Sequence, residues 1–350
     1  MSGRATAGSG TISVTLDIGG TWTNNPIQTS PSILAPAGLV QTLFNYGMIS
    51  ATGAGDIGVA LRGADTLVNG GLIRVNGSAA TGVYLQSVNA TLTAVAGGTI
   101  AASGAYAAAV AFGAGGGRAV IDPGAVLSGG VYDRYGAGTM ELAAGTLSGT
   151  QSGTLNGELS QYSGPGSVGL IIVDAGANWT LTGITTKHLV DAGTLTTDAL
   201  LSSGPVVIGA GGDLTVPLGG AIAPGTGITF ATNSGTLSIP ATSGPDVTLF
   251  GLTPGDAVVL EGLTYASGAS ATVGANGMLT VASGGSTASL WLNGNFSGQQ
   301  FGLLADGTAA TELFLTTSGG NTLSGTISNI STLSPGEIIL APGALLESTA

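Results

Sequence analysis

Three stretches in the first third of the chain share one pattern. They are residues 45–63 (NYGMISATGAGDIGVALRG), 69–87 (NGGLIRVNGSAATGVYLQS) and 96–114 (AGGTIAASGAYAAAVAFGA). In each, a Gly stands two residues before an Ile, a second Gly follows four residues after it, and a Val comes six after that. The three isoleucines, Ile49, Ile73 and Ile100, are 24 and 27 residues apart. A repeat with a period in the twenties is too short to bury an apolar face by itself. It gains a core only by stacking on its neighbours, which is the signature of a solenoid.

Between the repeats the sequence reads as short strands separated by Gly, Asn, Asp and Pro. Thr11–Ile18 alternates apolar and polar residues, and runs such as Leu72–Val75, Gly82–Leu85, Leu170–Val173, Trp179–Thr182, Val206–Ile208 and Thr236–Ile239 recur along the chain. No useful length carries a 3.6-residue period. Ala105–Ala111 has high helix propensity, but it occupies the strand position of the third repeat and is expected to be extended. The expected fold class is all-β: a right-handed parallel β-helix with an irregular, aromatic-richer C-terminal β module or cap. Residues 1–44 are expected to form an N-terminal cap and first coils, 45–240 the Gly-rich coils, and 241–350 a continuation or capping module. At roughly 22–25 residues per coil, the chain would make about 14 coils.

Composition narrows the function. Glycine supplies 64 of 350 residues, yet 43% of the chain is hydrophobic, enough to support a core and unlike a disordered linker. Only 7% is charged, and the net charge is −12. Nucleic-acid binding needs cations to neutralise phosphates, so it is not expected. Adsorption to anionic lipid is disfavoured for the same reason. No apolar run is long enough for a membrane helix, and aromatic residues, at 5%, are too few for the girdles of a membrane barrel. There is no Cys, which removes disulfides, thiol catalysis and thiolate metal sites. Residues 1–10 carry one Arg and no apolar core, and so do not read as a secretory signal.

The repeat N-x-G-x-I…G…G-V-x-L resembles the coils of autotransporter-type passenger domains and related bacterial surface adhesins. Ile172–Gly183 (IVDAGANWTLTG) is similar to a Gly-Ala-x-Trp-x-Leu-x-Gly coil of that family. Leu189–Leu195 (LVDAGTL) and Gly219–Gly225 (GGAIAPG) match further coil patterns. Asp246–Leu315 resembles a module near the end of such chains, marked by Pro254-Gly255-Asp256, Asn276–Val281 and Phe301–Asp306. The resemblance implies a β-helix displayed on, or released from, a bacterial cell and acting in adhesion, biofilm or self-association. It also implies an export signal and a C-terminal outer-membrane barrel. Neither is expected from the first ten residues or from Leu345–Ala350.

Concentrated chemistry is scarce. The single His, His188, has no nucleophile elbow beside it and is expected on a coil corner. Gly209–Thr215 (GAGGDLT) matches a calcium nonapeptide only in part and has no tandem copy. No catalytic residue, cofactor or metal site is therefore expected. The densest polar stretch is Tyr132, Asp133, Arg134, Tyr135 and Glu141, with Asp122 close enough in the coil period to neighbour Glu141. It is expected as an exposed turn with a local carboxylate–Arg pair, and it is the candidate glycan-contact patch. Trp179 and Trp291 are expected to pack in or against the coil. The leading functional expectation is a non-catalytic surface or secreted solenoid whose partners are glycans, host or neighbouring cells, or further copies of itself. The rivals are a polysaccharide-degrading or tailspike-like depolymerase on the same fold, and a purely structural filament subunit.

Overall fold

The computed structural model describes residues 41–145 and 168–316, apart from 183, 297, 298 and 308. It also describes the backbone of six short strands outside those spans: Ile12–Leu16, Thr21–Thr23, Ile33–Leu34, Gln151–Leu155, Asn321–Leu323 and Ile338–Leu340. The fold is a parallel β-solenoid, and the chain forms two compact units, Met1–Gly204 and Pro205–Ala350.

In the first unit each early coil contributes one strand to each of three parallel sheets. The coil spanning the first repeat supplies Gln41–Asn45, Met48–Thr52 and Ile57–Leu61. The next supplies Thr66–Asn69, Leu72–Asn76 and Thr81–Leu85. The third supplies Thr91–Ala94, Thr99–Ser103 and Ala108–Phe112, and the fourth Gly117–Ile121, Val126–Ser128 and Gly130–Asp133. The three repeat isoleucines align in register, Ile49 against Ile73 and Ile73 against Ile100, and all three are fully buried. Val59, Val83 and Val110 form a second inward column, and Leu43, Leu67 and Leu92 a third. Each such side chain contributes roughly 1.5–3 kcal/mol on burial. Sheet register repeats with period two, so the same residue type falls inward in every coil.

The glycine column of the repeat has a specific cause. A Cβ on Gly77 would stand 2.0 Å from the Gly53 carbonyl oxygen, and one on Gly104 would stand 2.3 Å from that of Gly77. These corners stack backbone on backbone, with Gly53 N–H donating to Asn76 O and Gly77 N–H to Ser103 O. A side chain there would force the coils apart. Polar groups also stack inside: buried Asn45 donates from Nδ2 to Oδ1 of buried Asn69 at 2.7 Å.

The third of the three parallel sheets ends at Gly130–Asp133. Gly138–Leu142, Val168–Val173 and Ile184–Asp191 continue the first sheet, while Gln151–Leu155, Ala177–Leu181 and Thr194–Thr197 build one other. Trp179 fills the interior of these coils. It is fully buried, and its indole N–H donates to the Ala143 carbonyl at 3.0 Å.

The second unit starts as parallel coils. One sheet runs Val206–Ile208, Thr226–Phe230, Val247–Phe250, and the other Asp213–Thr215, Thr236–Pro240, Ala257–Glu261. Both sheets then turn antiparallel. Ser286–Asn293 joins the first in parallel, then Met278–Ser283 and Ser270–Val273 follow as a meander. In the second sheet, Ala310–Thr316 pairs antiparallel with Ala257–Glu261, and Gln300–Asp306 lies outside it. Among the described residues the parallel coils number about 8 turns, fewer than a uniform period predicts for the full length. The antiparallel hairpins take up chain that further coils would have used. In the third repeat the strand begins at Ala108, later than the alanine run suggests. Residues before it form a turn in which Tyr106 takes φ 61°.

Candidate functional site

The five residues of the candidate patch lie on Gly130–Asp133, the turn after it, and Gly138–Leu142. The fold separates them. Asp133 occupies the inward column of Leu61, Leu85 and Phe112, and it is completely buried. Its Oδ2 accepts from Gly138 N–H at 2.7 Å and Gly169 N–H at 3.1 Å, and its Oδ1 from Ala137 N–H at 3.3 Å. Three amide donors satisfy a charge that an apolar interior would otherwise penalise. Asp133 thus shapes the turn from inside and has no access to a ligand.

The expected local pairing is also redistributed. Glu141 is buried, and its partner is Arg118, not Arg134. Arg118 Nε donates to Glu141 Oε2 at 2.8 Å, and Nη2 donates to the same oxygen. Register explains this: Val120 stands opposite Glu141, so Arg118, two residues away on the same outward face, lies over it. Asp122 falls past Glu141, in line with Ala143. The acid that does meet Glu141 is Asp174, one coil further on. Burial raises the Asp174 carboxyl above its ordinary value, and the neighbouring Glu141 carboxylate and a hydrogen bond to it add to the rise, with Arg118 opposing. Burial also raises Asp122.

The outer part of the turn is cationic and aromatic. Tyr135 is 53% exposed, and the Arg134 guanidinium carbon sits 6.0 Å from its ring centroid. Lys187 reaches across from Ile184–Asp191, its Nζ donating to the carbonyls of Tyr135 at 2.9 Å and Gly136 at 3.2 Å. Tyr132 is half-buried on the outward face of its strand. The patch that faces solvent is therefore Arg134 and Tyr135, with Lys187 as its brace and both carboxylates committed elsewhere. No family model matches this chain, and no match to it exists among the curated proteins or the solved structures compared with it.

Two other expectations are corrected by position. His188 is on a strand, opposite Leu170, and not on a corner; it is exposed. Trp291, expected to pack away, is 37% exposed on the outward face of Ser286–Asn293. In the second unit, Asp213 and Glu312 are both raised, first by burial and then, for each, by the nearby Asp306 carboxylate; for Asp213, a hydrogen bond to Thr215 opposes the rise. Among the described residues no group of three His, Cys, Asp or Glu side chains is placed to hold a metal ion.

Sequence reasoning missed Arg118 and Asp174 as partners of Glu141. An alternation argument could have found Arg118, since Gly117–Ile121 and Gly138–Leu142 both place their polar residues outward. Asp174 had no such signal, because the chain between residues 143 and 167 sets the offset to the next coil.

Proposed function

We propose that the chain is a non-catalytic β-solenoid of the bacterial surface or secreted kind. It acts by adhesion, in a biofilm matrix or by self-assembly, through its outward rows and not through a pocket. One observation carries this reading. The two carboxylates of the candidate patch, Asp133 and Glu141, are absorbed by the fold, while outward columns repeat neutral side chains such as Thr42, Thr66 and Thr91. Repetition at the strand spacing of about 4.8 Å multiplies weak contacts along an extended ligand or a second copy. The resemblance to autotransporter-type passengers and the low charge support the extracellular setting.

The Glu141–Asp174 contact weighs against the enzyme rival. A glycosidase flanks its substrate with carboxyls about 5 Å or more apart. These two share a hydrogen bond and an Arg, which leaves no room for a sugar between them. The test is retention of the purified chain on bacterial or host cells and on immobilised glycans, together with sedimentation velocity. Retention or concentration-dependent association supports the reading. A chain that stays monomeric and adheres to nothing contradicts it.

A further inference from the structure

The second unit carries an open sheet face with an exposed indole on it. Its first sheet presents Thr226–Phe230, Val247–Phe250, Ser286–Asn293, Met278–Ser283 and Ser270–Val273 side by side, and none of these five strands contains a charged residue. With only 7% of the chain charged, neutral faces occur elsewhere too, and it is the exposed indole that marks this one out. Near its middle stands Trp291. Register puts Thr248 on one side of it and Met278 on the other, both half-buried and outward. Two residues along, Ser289, Thr280 and Thr272 form a row of hydroxyls across three neighbouring strands. Leu290 and Leu292 point inward and are buried beneath it, and the half-buried Phe250 shares the outward face with Thr248, its ring over Gly227, 3.2 Å from where a Cβ would stand.

An indole held in a rigid sheet with more than a third of its surface in water leaves apolar area uncovered without closing a pocket. Its negative π-face attracts weakly positive C–H groups. Donor–acceptor hydroxyls lie at fixed distance beside it, and no fixed charge competes. These features fit a ligand with one apolar C–H face and a rim of hydroxyls, which describes a pyranose ring. An anionic polymer gains nothing here, since no cation stands on the face. A nucleic-acid strand lacks its phosphate partner for the same reason. The open sheet also gives room for an extended chain, in contrast to the concave pockets that take small molecules.

We infer that the outward face centred on Trp291 is a binding platform for a neutral polysaccharide, with the indole stacking on one sugar ring and the Ser289–Thr280–Thr272 row hydrogen-bonding its hydroxyls. This rests on the adhesive reading above and gives it a place and a ligand class.

The test is isothermal titration of the full chain with cellohexaose, xylohexaose and maltohexaose, and with a polygalacturonate hexamer as the acidic control. At least one neutral oligosaccharide binds, and the acidic one does not. Trp291→Ala weakens binding about tenfold or more, as removal of a central Trp anchor does. Trp291→Phe, which keeps a stacking ring, restores most of it, and Thr280→Ala weakens it by a smaller factor. Circular dichroism checks that each variant keeps the parent's β signal. Unchanged binding by a folded Trp291→Ala chain overturns the platform and leaves adhesion elsewhere on the rod intact. Absence of neutral-sugar binding by the parent chain also overturns it; if that chain still adheres to cells or self-associates, only the platform falls. If Trp291→Ala abolishes self-association but not sugar binding, the face belongs to a second copy, and the inference is wrong.

Discussion

The coils between residues 41 and 133 and the sheets between 205 and 316 solve the same problem differently. The first region stacks identical corners so closely that backbone meets backbone, and it admits no side chain at Gly77. The second turns both its sheets antiparallel, and although Gly251 and Gly255 also meet backbone carbonyls, Gly227 meets only the Phe250 ring. Exact repetition gives the first region its register but commits nearly every residue to it. The second region, freed from the repeat, can place an exposed Trp on an open sheet face. Function is thus expected where repetition relaxes.

Substitution at the glycine corners gives the widest contrast. Gly77→Val should lower stability by about 3 kcal/mol or more, because the Gly53 carbonyl cannot move without shifting its coil. Gly227→Ala should cost under about 1 kcal/mol, since only a ring edge must yield. Urea unfolding of both variants measures the difference. Equal costs would mean that the first region is no more tightly stacked than the second.

Next in size is Asp133→Ala. It strands the amides of Ala137, Gly138 and Gly169 in the interior, so a loss of about 2–4 kcal/mol is expected. Glu141→Gln should cost less than about 1 kcal/mol, because the side chain of its partner Arg118 is half exposed. A reversed order in thermal melts would show that the roles of the two carboxylates have been misassigned.

The pH dependence is smaller and has the same sign in both units. Asp174 and Glu312 are held above their ordinary values of 3.8 and 4.5. The folded chain therefore holds these protons more tightly than the unfolded one. Their stabilising contribution is full below the ordinary values and is lost as pH rises through the folded ones. Asp174→Asn and Glu312→Gln should each flatten the fall of the melting temperature over that rise. The smallest effect concerns one turn position. Ala79 takes φ 55° where the preceding coil has Gly55 and the following coil Tyr106. Ala79→Gly should stabilise by about 0.5 kcal/mol, the left-handed strain relieved less the added chain entropy.

Much of this was legible in the sequence. Ile49, Ile73 and Ile100, with Val59, Val83 and Val110, announce their own register, because parallel stacking repeats one local environment. Trp179, expected in or against the coil, lies inside it. What stayed hidden depends on offsets between coils that no longer match. The third sheet ends at Asp133 and the coil length changes, so Asp174 reached Glu141 without any countable spacing. Asp133 reads as a surface acid in sequence; only the three amides converging on it make an inward carboxylate stable. Trp291 is hidden for another reason, since an alternating strand gives equal support to either face until its partners are known.

The central claim is that this solenoid binds through neutral outward faces and does no chemistry on what it binds. The most direct measurement incubates the purified chain with a panel of polysaccharides and follows retention and released oligosaccharides in the same samples. The account predicts retention on a neutral polysaccharide with no oligosaccharide released. Release of oligosaccharides that disappears in a Glu141→Gln variant of unchanged melting temperature would contradict it.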